Sequence, residues 1–283
     1  MLSLHTNNAS LSAQNSIAKT QSQLSTSMTR LSTGYRINSA MDDAAGLQIA
    51  TRLKAQTSGM TVAMSNTQNS TSLLQTAEGA FAEVTNVLVR MKDLATQAAD
   101  ASSNTADKDA MQAEYDALGL ELANVMNNST FGGQKLLTGG TIASAMTFQI
   151  GAAQSETMTI NLGTSMTSVA TALGSATANF AGTAGGTELK TLANTAIGSL
   201  ISAIDSISTV RSALGAAANR LDHVNSNLSN IATNTKAATG RIMDVDFATE
   251  SSNMTSSQML LQAGTAMLKQ SNSMSSMVMS LLQ

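Results

Sequence analysis

Few residues in this chain are placed to do chemistry. It has two histidines, His5 and His223, and no HExxH, G-x-S-x-G, Walker A or EF-hand pattern. His223 stands beside Val224 at a flanking position of a heptad-patterned stretch, which is a structural place rather than that of a base or ligand. His5, near the start, is read the same way. Two tight acid pairs occur, Asp42-Asp43 and Asp244-x-Asp246. Such pairs can hold a cation or share a proton. Here the first lies next to Arg36, and the second follows Arg241 with Glu250 beyond. Helix neighbours one residue apart do not face each other. Arg36, Asp42, Asp43, Arg241, Asp244 and Asp246 are therefore read as charged elbows between helical segments. Without cysteine, disulfides, thiol nucleophiles and thiolate metal sites are excluded. The methionines from Met254 to Met279 fall at helical spacing and read as a deformable packing stripe. The expectation is no enzyme, no metal and no cofactor.

Whatever the chain does must then reside in its surfaces. A net charge of −3, with no basic run interleaved with aromatics, gives no footprint for nucleic acid. No run of about 18 apolar residues exists to cross a membrane. The opening MLSLHTNNASLSAQ lacks a basic segment followed by a continuous apolar one, so the expectation is a cytoplasmic chain or one exported by a route that cuts no leader. Proline is absent where about fourteen would be usual, which suits long unbroken helices. Aromatics are 2% of the chain, so Met, Leu, Ile and Ala must fill its interior.

The two ends are distinctive. Residues 1–29 carry one charge, Lys19, and residues 251–283 carry one, Lys269. Both still show apolar stripes: Leu4, Leu11, Ala18 and Ile17, Leu24, Leu31 in front, and Leu260, Ala263, Met267, Met274, Met277, Leu281 behind. Helices whose polar face is Ser, Thr, Asn and Gln can be covered without desolvating a charge. Membrane-surface helices usually carry Lys and Arg opposite Trp or Phe, and these do not. The ends read as surfaces to be covered by other subunits.

Between the ends, Leu73, Ala77, Ala80, Val84, Val87, Met91, Leu94 and Ala98 repeat at 4-3 spacing. So do Ile207, Val210, Leu214, Ala217, Leu221, Val224, Leu228 and Ile231, which predicts a helix over about 190–235. Shorter helices are expected at about 45–65 and 107–127, closed by Asn127-Asn128 and Gly132-Gly133. Alternation at 147–150 and 157–160 around Gly151–Glu156 predicts a β-hairpin. After Gly163 the pattern weakens, and FAGTAGG at 180–186 reads as a surface loop. The expected fold is mainly α: a long antiparallel helical rod with a terminal coiled coil and a small β-hairpin region.

At Leu31-Ser-Thr-Gly-Tyr-Arg-Ile-Asn-Ser-Ala-Met-Asp-Asp-Ala-Ala-Gly46 and at Arg241-Ile-Met-Asp-Val-Asp-Phe-Ala-Thr-Glu-Ser-Ser-Asn-Met254 the chain resembles bacterial flagellin, whose motifs are close to RLSSGLRINSAKDDAAG and RIEDADYATEVSNM. Further similar segments are Ala77–Val84, Thr130–Leu137, Gln262–Leu268 and Ser280–Leu282. The similarity is collinear over about 1–162 and 188–283. It implies an inner coiled-coil domain from 1–42 plus 246–283. It also implies a helical rod domain from 43–162 plus 188–245, and a residual variable insert at 163–187.

The function the resemblance implies is a structural subunit that self-assembles into the flagellar filament for motility, secreted through the flagellar type III export channel. The alternative is a hook-filament junction or minor filament protein. Polymerisation is expected to use Leu4, Leu11, Leu24, Leu31, Leu260, Met267, Met274 and Leu281. The implied partners are further copies, an export chaperone, cap and junction proteins, and a host Toll-like receptor, with no nucleic acid and no membrane. For the receptor the matching residues are Leu88, Arg90, Leu94, Gln97 and Glu114. Leu94 also lies on the apolar stripe, so its core role comes first.

Overall fold

The computed structural model describes residues 7–180 and 186–281, with side chains 275, 276 and 278–281 outside the description. Among the described residues it is mainly α-helical. The helices are α1 (Asn8–Thr33), α2 (Ala44–Ala99), α3 (Thr105–Asn128), α4 (Gly163–Ala176), α5 (Glu188–Thr191), α6 (Ala193–Met243) and α7 (Phe247–Leu281). Two antiparallel hairpins interrupt them, β1 (Thr130–Phe131) with β2 (Gln134–Lys135), and β3 (Ala145–Gln149) with β4 (Thr157–Asn161). Contacts divide the chain into two units, Met1–Thr57 with Thr233–Gln283, and Ser58–Ala232.

The second unit holds the main core. On α2, Leu74, Ala77, Phe81, Val84, Leu88, Met91, Ala95 and Ala98 are sealed, and Leu94 with them. This line runs one residue beside the 4-3 stripe read from the sequence and shares four positions with it. The buried arc is wide because α2 packs against more than one neighbour. From α6 come Leu200, Ala203, Ile207, Val210, Leu214 and Leu221, and from α3 come Tyr115, Leu122 and Met126. Glu78 meets Arg211 at 3.7 Å, and Met60 clusters with Leu228, so α2 and α6 run antiparallel here. Tyr115 donates to the Ala176 carbonyl at 2.6 Å. Burial is the main cause that pushes its hydroxyl above the ordinary value, so it stays a neutral donor.

The β3–β4 hairpin forms as its alternation requires, pairing Met146 with Ile160 and Phe148 with Met158. Met146, Met158 and Ile160 face the core. The segments expected at 45–65 and 73–98 are one helix. Gly59 does not break it, because Ala152 of the hairpin loop packs there: a Cβ on Gly59 would stand 2.7 Å from that of Ala152.

Residues 163–176, expected to belong to a surface insert, instead form α4 and bury Met166, Val169, Leu173 and Ala176 in the main core. Their 3-4-3 spacing is helical but short and interleaved with Ser, Thr and Gly, which weakens the signal. Beyond α4, Glu188 accepts from the Ala178 amide at 2.8 Å and from Gln112 Nε2 at 3.0 Å. Asn179 donates to Asp116 at 2.9 Å. These bonds tie the stretch to α3. The 180–186 loop falls largely outside the described residues.

Since α4 is core, Leu173→Ala should destabilise the protein by about 2–5 kcal/mol. Leu120→Ala, at a 61% exposed position, should change stability by no more than about 0.5 kcal/mol. Thermal or denaturant unfolding compares the two.

Candidate functional site

The first unit contains the two charge-poor ends, and it is built differently. α1 and α7 pair along their lengths. The seam of α1 is Ser10, Ala13, Ile17, Thr20, Leu24, Ser27 and Leu31, each at least half-buried. The seam of α7 is Glu250, Met254, Ser257, Leu261, Gly264, Leu268 and Ser271. Both repeat at alternating three and four, the spacing of a two-stranded coiled coil.

The pairing is antiparallel and its register is set by specific contacts. Asn7 Nδ2 donates to Ser271 Oγ at 3.2 Å, and Ser10 Oγ donates to Asn272 Oδ1 at 3.2 Å. Gly264 takes Ile17 so closely that a Cβ there would lie 2.9 Å from Ile17 Cγ1. At the other end Arg30 meets Glu250 at 3.7 Å. These two charges lie just outside the charge-poor stretches and close the foot of the pair.

Five hydroxyl groups of α1 are satisfied within the helix. Ser16, Thr20, Thr26, Thr29 and Thr33 each donate to the carbonyl four residues earlier, at 2.9–3.1 Å. Thr255 on α7 does the same to Ser251. A hydroxyl already bonded to its own backbone has little water to lose on being covered.

The pairing leaves several large apolar side chains uncovered. Leu260, Met267 and Met274 are 61%, 69% and 54% exposed, and Leu11 is 56% exposed. With about 3.6 residues per turn, the line of Leu260, Ala263, Met267 and Met274 lies about a third of a turn around α7 from its seam. So α7 has two apolar faces, and α1 covers one. Leu24 and Leu31 lie in the seam, whereas Leu11, Leu260, Met267 and Met274 point away from it. Leu4 lies outside the described residues, and of the Leu281 side chain nothing is described. Among the described residues of the first unit the buried apolar side chains are Ile37 and Ala50. That is a small core for over a hundred residues.

The six elbow residues sit at the turns leading into and out of this pair. Gly34 ends α1 in the left-handed region at φ 76° and gives its N–H to the Arg30 carbonyl. The chain then bridges to the exit strand: Tyr35 pairs with Asp244, and Val245 N donates to the Gly34 carbonyl at 3.0 Å. Arg36 gives its backbone N–H to Met243 and its guanidinium, at 2.9 Å, to the Ile242 carbonyl. Asp42 accepts from the Ser39 and Asn38 amides at 2.9 and 3.0 Å, and these bonds hold its carboxyl below the usual carboxylate range.

Asp43 caps α2 through the Gly46 amide at 2.9 Å. Asp246 caps α7, accepting from Thr249 Oγ1 at 2.7 Å and from the Ala248 amide, and its carboxyl is likewise lowered, chiefly by Thr249. Arg241 is exposed and lines an open groove with Lys236, Asp244 and Asp246, a mixture of both signs. The acid pairs are therefore turn and cap residues. Ile37, buried between these turns, went unread because a lone apolar residue in a turn has no periodicity. Gly46 lets it in: a Cβ there would lie 2.8 Å from Ile37 Cδ1.

In the second unit, Leu88 and Leu94 are sealed in the core. Of the five receptor-matching residues, Arg90, Gln97 and Glu114 are exposed. Arg90 donates to Glu114 through Nε at 2.9 Å and Nη2 at 2.6 Å. His223 is exposed on α6, and His5 lies outside the described residues. Among the described residues no helix is long and apolar enough to cross a membrane.

Comparison with known proteins places both ends in one family. The sequence model of the bacterial flagellin N-terminal helical region matches residues 4–142, and that of the C-terminal helical region matches 197–282. Flagellin A of Vibrio cholerae is 32% identical over 379 aligned positions, covering all of both chains. B-type flagellin of Pseudomonas aeruginosa is 48% identical over 156 residues, 55% of this chain and 32% of that protein. That match spans about a third of the relative's length. A Vibrio parahaemolyticus structure described as flagellar hook-associated shares the fold at TM-score 0.55, with 16% identity, over 72% of this chain and all of that one.

Proposed function

Because this chain belongs to the bacterial flagellin family, we propose that it is the structural subunit of a flagellar filament, assembling with copies of itself into the helical propeller. The observation that carries this reading is the second apolar face of α7. Leu260, Met267 and Met274 are exposed although the helix already has a partner in α1. A subunit that offers a surface on one side and receives on another repeats without closing, which yields an open helix of subunits. In that assembly residues 1–42 and 246–283 form the inner layer, and 43–162 with 188–245 the outer one. The insert at 163–187 contributes little beyond α4. Leu4, Leu11, Leu260, Met267, Met274 and Leu281 pack against neighbouring copies, with Leu24 and Leu31 holding α1 on α7. The elbows at Arg36, Asp42, Asp43, Arg241, Asp244 and Asp246 set the angle at which the paired ends leave α2 and α6.

A subunit whose ends are weakly held until covered suits export through the flagellar channel to the outside of the cell, with a chaperone holding the ends beforehand and cap and junction proteins receiving them. The exposed Arg90, Glu114 and Gln97 are the part of the receptor-matching set that a Toll-like receptor could touch. A large amphipathic Arg suits such an interface.

Leu260→Glu with Met267→Glu should abolish filaments seen by electron microscopy at concentrations where the unaltered protein polymerises. The thermal transition of the core should remain. Deleting residues 1–29 should do the same. Filaments of normal length and number from either variant would contradict the reading. For the receptor, Arg90→Ala should lower activation of receptor-bearing cells by the unassembled protein roughly tenfold or more, the size of a hot-spot loss. Unchanged activation would contradict the contact.

A further inference from the structure

We propose that Met259, Met267 and Met274 form an oxidation site at which peroxide blocks assembly of the free subunit. This rests on the filament reading above. The three residues are 59%, 69% and 54% exposed on one side of α7. The core methionines Met91, Met146, Met158 and Met166 are 0–4% exposed. Oxidation of methionine requires the oxidant to reach the sulfur. In the unassembled chain the α7 set is therefore open to attack while the core set is shielded.

The chemistry is a single oxygen transfer. The sulfur lone pair attacks hydrogen peroxide, the S–O bond forms as the O–O bond breaks, and water leaves. Sulfur is oxidised to the sulfoxide and peroxide is reduced to water. The product is a polar group with a strong acceptor oxygen and no donor. In solvent it costs nothing, so the subunit stays folded. Under a neighbouring copy it places added acceptors in an apolar contact, and charge to receive them is scarce: Lys269 is the one ionisable side chain of 251–283. Assembly and oxidation therefore exclude each other. A filament shields the sulfurs, and a sulfoxide-bearing subunit does not enter one. The exposed Met41, at 96%, lies in the turn before α2 and not on α7, so its oxidation has no such effect.

The test treats unassembled protein and preformed filaments with the same dilute hydrogen peroxide. Peptide mass spectrometry follows oxygen addition at each methionine, and sedimentation follows polymerisation. Met259, Met267 and Met274 should oxidise at least tenfold faster in the free subunit than in the filament, and at least tenfold faster than Met91 or Met158. Treated subunits should polymerise at least tenfold less than untreated ones, and methionine sulfoxide reductase with a dithiol should restore them. The ratio of treated to untreated polymerisation should move toward one in the combined Met259→Leu, Met267→Leu, Met274→Leu variant, each sample compared with its own untreated control. Met41→Leu should leave that ratio as in the unaltered protein. Full polymerisation by subunits carrying all three sulfoxides, or no restoration by the reductase, would overturn the oxidation site while leaving the filament reading intact. Untreated protein that never polymerises would overturn both.

Discussion

The structure depends on bonds that Ser and Thr side chains of the end helices make to their own backbone. When a hydroxyl donates to the carbonyl four residues earlier, the helix acquires a face that is polar by composition but has little need of water. Along α1 this happens at Ser16, Thr20, Thr26, Thr29 and Thr33. Lys or Glu on that face would demand solvent or a partner, and either would forbid burial. Removing charge while keeping hydroxyls makes a helix that dissolves as a monomer and can be covered as a polymer. The cost is helix strength, since such hydroxyl bonds slightly weaken and bend a helix and remove the ion pairs that would support it alone.

That cost is visible in how stability is distributed. The second unit has a continuous apolar core from Leu74 to Leu221 that draws on α2, α3, α4, α6 and the β3–β4 hairpin. The first unit has Ile37 and Ala50, a seam partly of serines, and one ion pair at its foot among the described residues. Its seam is specific without being strong. Gly264 opposite Ile17 and the Asn7–Ser271 and Ser10–Asn272 bonds select one register. Few buried apolar contacts and many exposed backbone bonds mark the low-stability end of a protein. Binding to the folded form alone raises its apparent stability by mass action, so polymerisation is the natural source of what the pair lacks.

Much of this was legible in the residues. The missing charges at both ends, the absent proline and the alternation at 147–150 and 157–160 each have a direct physical meaning, and the structure carries the corresponding helices and hairpin. The stripe of Leu260, Met267 and Met274 was visible for the same reason: large apolar residues at sevenfold spacing. The seam beside it was not, because Ser257, Gly264 and Ser271 break the apolar pattern at the places where close approach needs small residues. α4 escaped because its four core residues are too few to establish a period. Leu88 shows the opposite case. A resemblance placed it on a recognition surface, whereas its place on α2, one residue from the apolar stripe, sends it into the core. Where function comes from family pattern alone, burial decides which of the matched residues can act.

The central claim is that the paired ends gain their stability from other copies. Hydrogen–deuterium exchange resolved along the chain measures this directly, in free subunits and in filaments. The account predicts weak protection for the amides of α1 and α7 in the free subunit, rising by about a hundredfold or more on assembly. The amides of Leu74–Ala98 should be strongly protected in both states. Equal protection of α1 and α7 in the two states would contradict it, because the ends would then be stable without a cover.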